Sequence, residues 1–470
     1  MKLRYSKYQQ LIQQVSSVPL CVLGVGVYRA WTETVYINAQ YVTPAQKIGS
    51  YELFNIFIII TLLILIFLAK RIAPLCKIPG IFTLAGLLMT ASALMNFLSI
   101  QYPSAGDFLA LPAVMCGAVG ISFVMMLWSE YYGCINAVRT GIYYTASIAF
   151  GAVILWVFKG LDFWWVCAGA VLLPFISLCF LKKSLSLLPE SERPHKGWGS
   201  FQFPWKPVLL VTLYSFAYGL MESVFRSQVL GPHSSFGVVL PAIIIFLGIT
   251  LRLKSFNFLS FWKVALVLML LSLFPFDFFF PFEGRISAFF AVSGYSSCLI
   301  LIMVVLSNLS YRFGVCALWL FAIERVARLG AVMIGDKMSS LIYQHSNSIV
   351  VDVGISVLIG SLVVIATLLV LSEKGLSSSW GVILKESPAN ERLVSERNRL
   401  GIKCSEIAKQ FDLSTREEEV LLFLAQKKKR SAVGHELFIA TSTYKTHVRN
   451  IYQKLEVHSR KELYGVLGIE

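Results

Sequence analysis

Near the end of the chain Lys445, Thr446 and Arg449 stand at spacings that put them on one face of a helix. Cationic side chains one turn apart beside a hydroxyl suit phosphate contacts combined with base-edge reading in a DNA major groove. The other face carries Tyr444, Val448, Ile451, Tyr452 and Leu455 at i, i+4, i+7, i+8 and i+11, the pattern of a helix buried along one side. By spacing alone, a merely solvated charged face is the simpler account. A second group of residues lies inside apolar runs: Glu324, Arg325 and Arg328 in one, and Glu222 with Arg226 at the same one-turn spacing in another. An ionisable group at the centre of a bilayer costs about 2.5 kcal/mol or more, so such groups persist when they are paired or used. They are expected either to line a cavity for a polar or ionised small molecule or to lock helices together.

Other polar residues carry less. Tyr28, Arg29 and Trp31 read as an interfacial anchor, with a ligand contact as the alternative. Glu130, in "WSEYYG", reads as a boundary charge, with a gate as the alternative. His195, His233 and His345 are isolated, and the nine cysteines, at positions 21, 76, 116, 134, 167, 179, 298, 316 and 404, show no CxxC or Cys/His spacing. No metal site, cofactor or disulfide framework follows. P-loop, GxSxG, HExxH and kinase signatures are missing, so no enzyme is expected.

The elements that must position these residues are mostly membrane spans. Of 470 residues 56% are apolar and 14% charged, and the mean hydropathy is +0.70, which excludes a disordered or collagen-like chain and argues against a water-soluble one. Apolar runs long enough to cross roughly 30 Å of hydrocarbon lie near 15–31, 49–69, 77–100, 107–128, 135–157 and 162–181, then near 208–226, 236–252, 262–281, 287–308, 313–335 and 348–371. The opening run, behind Lys2, Arg4 and Lys7, imitates a secretory signal but lacks an A-x-A site and is expected to be a retained first span. With the N-terminus inside, the inner segments hold 16 Lys/Arg and the outer loops 6. Both termini are therefore expected in the cytoplasm. A charged connection at 182–207, with Pro194 and Pro204, divides the spans into two groups of six. Two such groups resemble the major facilitator superfamily, whose halves are pseudo-repeats around a midplane cavity. The superfamily's usual loop motif after the second span is missing, where this chain reads "AKRIAPLCKIPG".

From Glu373 the composition changes. "SEKGLSSSWG" and Pro388 read as a linker, and 391–411 regains helix formers with Leu393, Leu400 and Ile407 seven apart. A short coiled-coil seam would explain that spacing, but Arg397 and Cys404 on the same seam favour a plain amphipathic lead-in helix. Ser414 followed by Glu417, and Ser459 followed by Glu462, are capping boxes that start helices. Between them a short helix near 431–438 and a turn through 439–442 lead to the helix of Lys445 and Arg449, a helix-turn-helix pattern in a four-helix unit.

The run "LSTREEEVLLFLA…ELFIATSTYKTHVRNIYQKLEVHSRKEL" resembles the LuxR-type (NarL/FixJ-type) DNA-binding domain, through Arg416, Glu417, Glu419, Val420, Leu437, Thr443, Lys445, Thr446, His447, Val448, Ile451, Lys454, Leu455, Ser459 and Arg460. The resemblance implies that Lys445, Thr446 and Arg449 are the main DNA-facing residues. It adds Thr443 to the DNA-binding set, together with His447 and Lys454 as supports of backbone or fold. Departures are Lys427 for a glycine, Gly434 for an alanine, Ala440 for a capping serine and Tyr444 for a smaller side chain.

The chain is thus expected to be all-α, with a membrane sensor domain at 1–371, a partly helical linker at 372–411 and a DNA-binding domain at 412–470. As a one-component regulator it would sense a small molecule through its spans and bind double-stranded DNA as a homodimer; a secondary transporter with an accessory DNA-binding tail is the alternative. A cytoplasmic reporter fused after Ser377 should be active and a periplasmic one silent, and the reverse would invert the topology.

Overall fold

The computed structural model describes residues 18–37, 44–194, 203–225, 235–250, 258–274, 285–345, 349–371, 396–428 and most of 430–469, with no strand among them. Twelve helices among these residues stand where the apolar runs predict. They are α1 (Gly24–Thr32, led by a 3₁₀ turn Leu20–Leu23 and continued by a π turn Glu33–Ile37), α2 (Pro44–Ile72), α3 (Ile81–Gln101), α4 (Pro103–Tyr132), α5 (Ala137–Phe158), α6 (Phe163–Leu187), α7 (Trp205–Phe225), α8 (Ser235–Thr250), α9 (Phe258–Leu271), α10 (Arg285–Phe313), α11 (Ala317–His345) and α12 (Ile349–Leu371). Four more follow: α13 (Glu396–Gln410), α14 (Thr415–Ala425), α15 (Thr441–Lys454) and α16 (Arg460–Leu467).

Seven of these, α2 to α6, α10 and α12, are by themselves long and apolar enough to cross a membrane. Helix α8 has 16 residues, and α11 carries Glu324, Arg325, Arg328, Asp336 and Lys337. Large apolar side chains such as Phe67, Phe108, Trp156, Trp164 and Trp165 point outward, while Ser92, Thr145, Ser177, Ser215 and Ser307 are buried. That inversion of the soluble-protein pattern belongs to a multi-pass membrane protein, whose outer surface meets hydrocarbon. Among the described residues the first span starts at Leu20, after Pro19 in an extended conformation, and passes its expected end at 31 through the turn Glu33–Ile37, where Thr34, Val35 and Tyr36 are buried.

The two groups of six pack alike. In the first, α1 pairs with α5 and α6, α3 with α4 and α6, and α2 with α4; in the second, α7 pairs with α11 and α12, α9 with α10 and α12, and α8 with α10. Each pairing recurs six helices later. The halves meet through α2 with α11, α5 with α8 and α10, and α4 with α11. The closest crossings repeat as well. A Cβ on Gly26 would lie 1.9 Å from the Ser147 carbonyl oxygen, and one on Gly219 would lie 2.3 Å from that of Val332. Likewise Gly120 would meet Met89, and Gly294 would meet Met269. Small residues let helix backbones approach where no hydrophobic force draws them together.

Crowding at these crossings gives a graded expectation. Gly26→Ala and Gly219→Ala should each cost about 1–3 kcal/mol through forced backbone shifts, whereas Gly354→Ala, with nothing within 4 Å of its Cβ, should be neutral or stabilising; thermal unfolding of the detergent-solubilised protein measures the difference.

Candidate DNA-binding face and membrane cavity

A cavity of about 250 Å³ lies between the halves. Tyr28, Arg29, Glu33, Tyr51, Asn55 and Tyr144 line it from the first half, and Tyr218, Glu222, Tyr295, Arg325 and Arg328 from the second. Arg328 Nε donates to Glu324 Oε1 at 3.0 Å, and Arg29 Nη2 lies 3.7 Å from Glu33 Oε1. Tyr218 and Tyr295 stack with ring centroids 4.1 Å apart. The Nε of Arg325 is buried with no hydrogen-bond partner among the described residues. Because Tyr218 and Glu222 stand near the end of α7, and Tyr51 and Asn55 of α2 and Val292 and Tyr295 of α10 stand in the first halves of their helices, the cavity sits between the middle of the bundle and its end away from the tail.

Of the intramembrane charges expected to gather here, Glu222, Arg325 and Arg328 do so. Glu324 stands behind them in a small void shared with Tyr144 and both arginines, and Arg226 falls outside the described residues. The Tyr28–Arg29–Trp31 anchor reading is corrected: Trp31 is fully buried, and Tyr28 and Arg29 are cavity walls. Glu33, Tyr51, Tyr144, Tyr218 and Tyr295 carry no signal of their own in the sequence. The i,i+4 spacing of Arg29 and Glu33, the same as that of Glu324 and Arg328, was the signal available. Glu130 is neither an exposed boundary charge nor a cavity residue: its carboxylate accepts from the Leu75 and Cys76 N–H groups at 2.6 and 3.0 Å and pins the turn after α2.

In the tail, the Ser414 hydroxyl accepts from the Glu417 N–H while the Glu417 carboxylate accepts from the Ser414 N–H, a full capping box that starts α14. At α16 the Ser459 hydroxyl accepts from the Glu462 N–H, but the Glu462 carboxylate takes the His458 N–H instead of that of Ser459. Tyr444, Ile451 and Leu455 are buried, Val448 and Tyr452 half-buried, and Thr443, Lys445, Thr446 and Arg449 exposed. An open groove of about 930 Å³ runs along this face, flanked by Arg430, Lys445, Arg449, Gln453 and His458. Lys454 turns away from it, donating to the Asp412 carbonyl at 2.8 Å and pairing with Glu417 at 2.9 Å. His447 is half-buried, its imidazole held below its ordinary value by burial, and its Nδ1 has no partner among the described residues.

Residues 411–467 match the family of bacterial regulatory proteins described as luxR. The C-terminal module is a LuxR-family helix-turn-helix domain. Similar curated proteins include the HTH-type transcriptional regulator MalT of Vibrio cholerae (38% identical over 72 residues), the transcriptional regulatory protein LiaR of Bacillus subtilis (44% over 50) and the putative HTH-type transcriptional regulator YhjB of Escherichia coli (37% over 57). These matches cover 15%, 11% and 12% of this chain, which spans 7%, 24% and 28% of the relatives' own lengths. Among solved structures, the major facilitator superfamily transporter FucP in its outward conformation aligns over 75% of this chain and 98% of its own, at 14% identity and a TM-score of 0.48. A bacterial homologue of the iron transporter ferroportin, in an outward-facing state, aligns over 78% and 98%, at 12% identity and a TM-score of 0.47.

Within the LuxR-family domain the departures find physical accounts. Lys427 adopts φ +54°, the left-handed conformation that favours glycine, and the Lys428 N–H closes the helix end on the Phe423 carbonyl at 3.2 Å. Tyr444 is accommodated in the core. Gly434 and Ala440 lie outside the described residues. Burial pushes the Glu417 carboxyl up, but hydrogen bonds from Lys454 and Ser414 outweigh it and leave the group below its ordinary 4.5. A depressed carboxyl stabilises the fold above its unfolded value, and that contribution disappears as pH falls through the folded value. Lys454→Met should therefore lower the thermal midpoint of residues 396–470 at pH 7, with the gap from the parent narrowing below pH 4.5; a gap that is constant with pH would assign the effect to packing.

Proposed function

We propose that this chain is a membrane-tethered, one-component transcriptional regulator: residues 1–371 sense a small molecule, 372–411 connect, and 412–470 bind DNA. The observation that carries this reading is the union, in one chain, of a LuxR-family domain with an exposed basic recognition face and a helical bundle enclosing a charged cavity. Lys445, Thr446 and Arg449, with Thr443, are assigned to DNA. His447 and Lys454 are assigned to supporting the fold, as their burial and pairing favour. Two tails would act together, since one small module makes few base contacts and symmetric half-sites suit a dimer. Both termini lie in the cytoplasm of a bacterial inner membrane, where the tail can reach the chromosome.

Glu222, Arg325, Arg328 and the Arg328 partner Glu324 are the ligand-binding candidates, joined by Arg29 and Glu33; Arg226 completes the candidate set from the sequence. A polar or ionised small molecule fits such a wall, and the Arg325 Nε, without a partner among the described residues, offers a donor to an acceptor group of the ligand. Signal requires unequal affinity for two states: a tenfold preference supplies about 1.4 kcal/mol, enough to move a balanced equilibrium and too little for a strongly biased one.

The repeated helix pairings also favour a second reading, a secondary transporter with an accessory DNA-binding tail. Solute uptake into vesicles that survives deletion of residues 391–470 would select it. For the regulator, ligand-dependent reporter transcription should be lost in Arg449→Ala, with about 1–3 kcal/mol of operator affinity, and lost in Glu324→Gln with operator binding intact and protein abundance normal. Full response in Glu324→Gln and Glu222→Gln alike would make these groups structural locks.

A further inference from the structure

The tail module is seated on the bundle, and its seat is split between the two halves. Arg312, at the last turn of α10 in the second half, places Nη2 2.6 Å from Glu418 Oε1 of α14, with side chains only 4% and 1% exposed. Gly401 of α13 lies against the Arg312 backbone, where a Cβ would come within 2.5 Å of its carbonyl oxygen. From the first half, Glu192, just beyond α6, pairs with Lys428 at 2.9 Å, and the Asn136 side chain at the start of α5 donates to the Glu436 carbonyl at 3.4 Å. Lys428 also pairs with Glu436 at 2.9 Å, so the two first-half contacts form one connected clamp. Beneath this seat the halves touch directly: a Cβ on Gly133 would lie 2.6 Å from Ser310 Oγ and 2.8 Å from Ala317 Cβ. The bundle is closed at the tail side, and its cavity lies toward the far side.

We propose that the DNA-binding module is a staple across the two halves, so that module docking and closure of the bundle at the tail side are one conformational equilibrium. A buried ion pair gives little net stability over apolar packing, but separating its members leaves uncompensated charge out of water, which makes it a registry device. Parting of the halves at the tail side would carry Arg312 away from Glu192 and Asn136, and a rigid module cannot follow both. Docking leaves Lys445, Thr446 and Arg449 exposed, so the contact acts through the module's tether to the bundle and not by covering its DNA face. The coupling is reciprocal: whatever opens the tail side weakens docking, and whatever draws the module away favours opening.

The test uses the full chain in lipid nanodiscs without ligand or DNA, so its outcome is separate from that of the sensing reading. Ser296 lines the far-side cavity, remote from the seat, where mere uncovering of the tail side cannot alter it. In a Ser296→Cys background, the alkylation rate at that position is read by mass spectrometry, and hydrogen exchange over residues 396–410 reports docking. Arg312→Glu, which sets like charges together, and Gly401→Leu, which crowds α13 without touching a charge, should each raise exchange over 396–410 and slow alkylation about fivefold or more, the lower end of ordinary allosteric coupling. The swap Arg312→Glu with Glu418→Arg should restore both readouts, which a misfolded protein would not do. Faster exchange with unchanged alkylation would overturn the coupling, and unchanged exchange in both Arg312→Glu and Gly401→Leu would overturn the docking itself.

Discussion

A charge inside an apolar medium must have a partner, and the architecture of this protein is organised around meeting that requirement. Glu324 has Arg328, Arg29 has Glu33, Glu130 has two backbone N–H groups, and Arg312 has Glu418 across the boundary between bundle and tail. Each pairing holds its members in place, because an uncompensated charge out of water costs more than most packing rearrangements. The four differ in what they join. The first two lie within a single helix and leave their outer surfaces to the cavity, Glu130 fixes a turn, and Arg312 fixes a domain.

The polar walls of the cavity are held by a frame of close helix crossings. Gly26 against Ser147 and Gly219 against Val332 bring α1 onto α5 and α7 onto α11, so that α1 and α7 present Arg29, Glu33, Tyr218 and Glu222 to the same space. In hydrocarbon, helices associate through close packing and polar contacts more than through apolar burial. That is why glycines and serines stand at the crossings while Phe67, Phe108, Trp156, Trp164 and Trp165 stand outside. The tail follows the opposite rule. Its core of Val420, Leu424, Ile451, Leu455 and Leu463 is apolar, and most of its charges face water, apart from Glu417, paired with Lys454, and Glu418 and Lys428, which meet the bundle.

Length and polarity made the twelve helices legible, since a run of some 20 apolar residues has few other uses. The tail was legible for a different reason: capping boxes and a helix-turn-helix depend on short-range spacing, which a sequence displays directly. Lys427 shows the limit of such reading. It appeared as a loss of glycine, yet the chain keeps the left-handed turn there and closes the helix through the Lys428 N–H.

By itself the sequence determined the all-α class, the order of the spans, the helix-turn-helix and the exposure of Lys445, Thr446 and Arg449, because these rest on periodicity and spacing within single helices and turns, while the LuxR-type character came from the resemblance of its motif residues. Only the tertiary structure decided which intramembrane charges share a cavity, since Arg29 and Arg328 are almost 300 positions apart and no local period links them. It turned Trp31 inward, gave the supporting role of Lys454 its partners in Glu417 and the Asp412 carbonyl, and packed α13 against the end of α10. Those outcomes depend on which faces meet after helices cross, and a crossing is settled by shape complementarity between segments far apart in the chain.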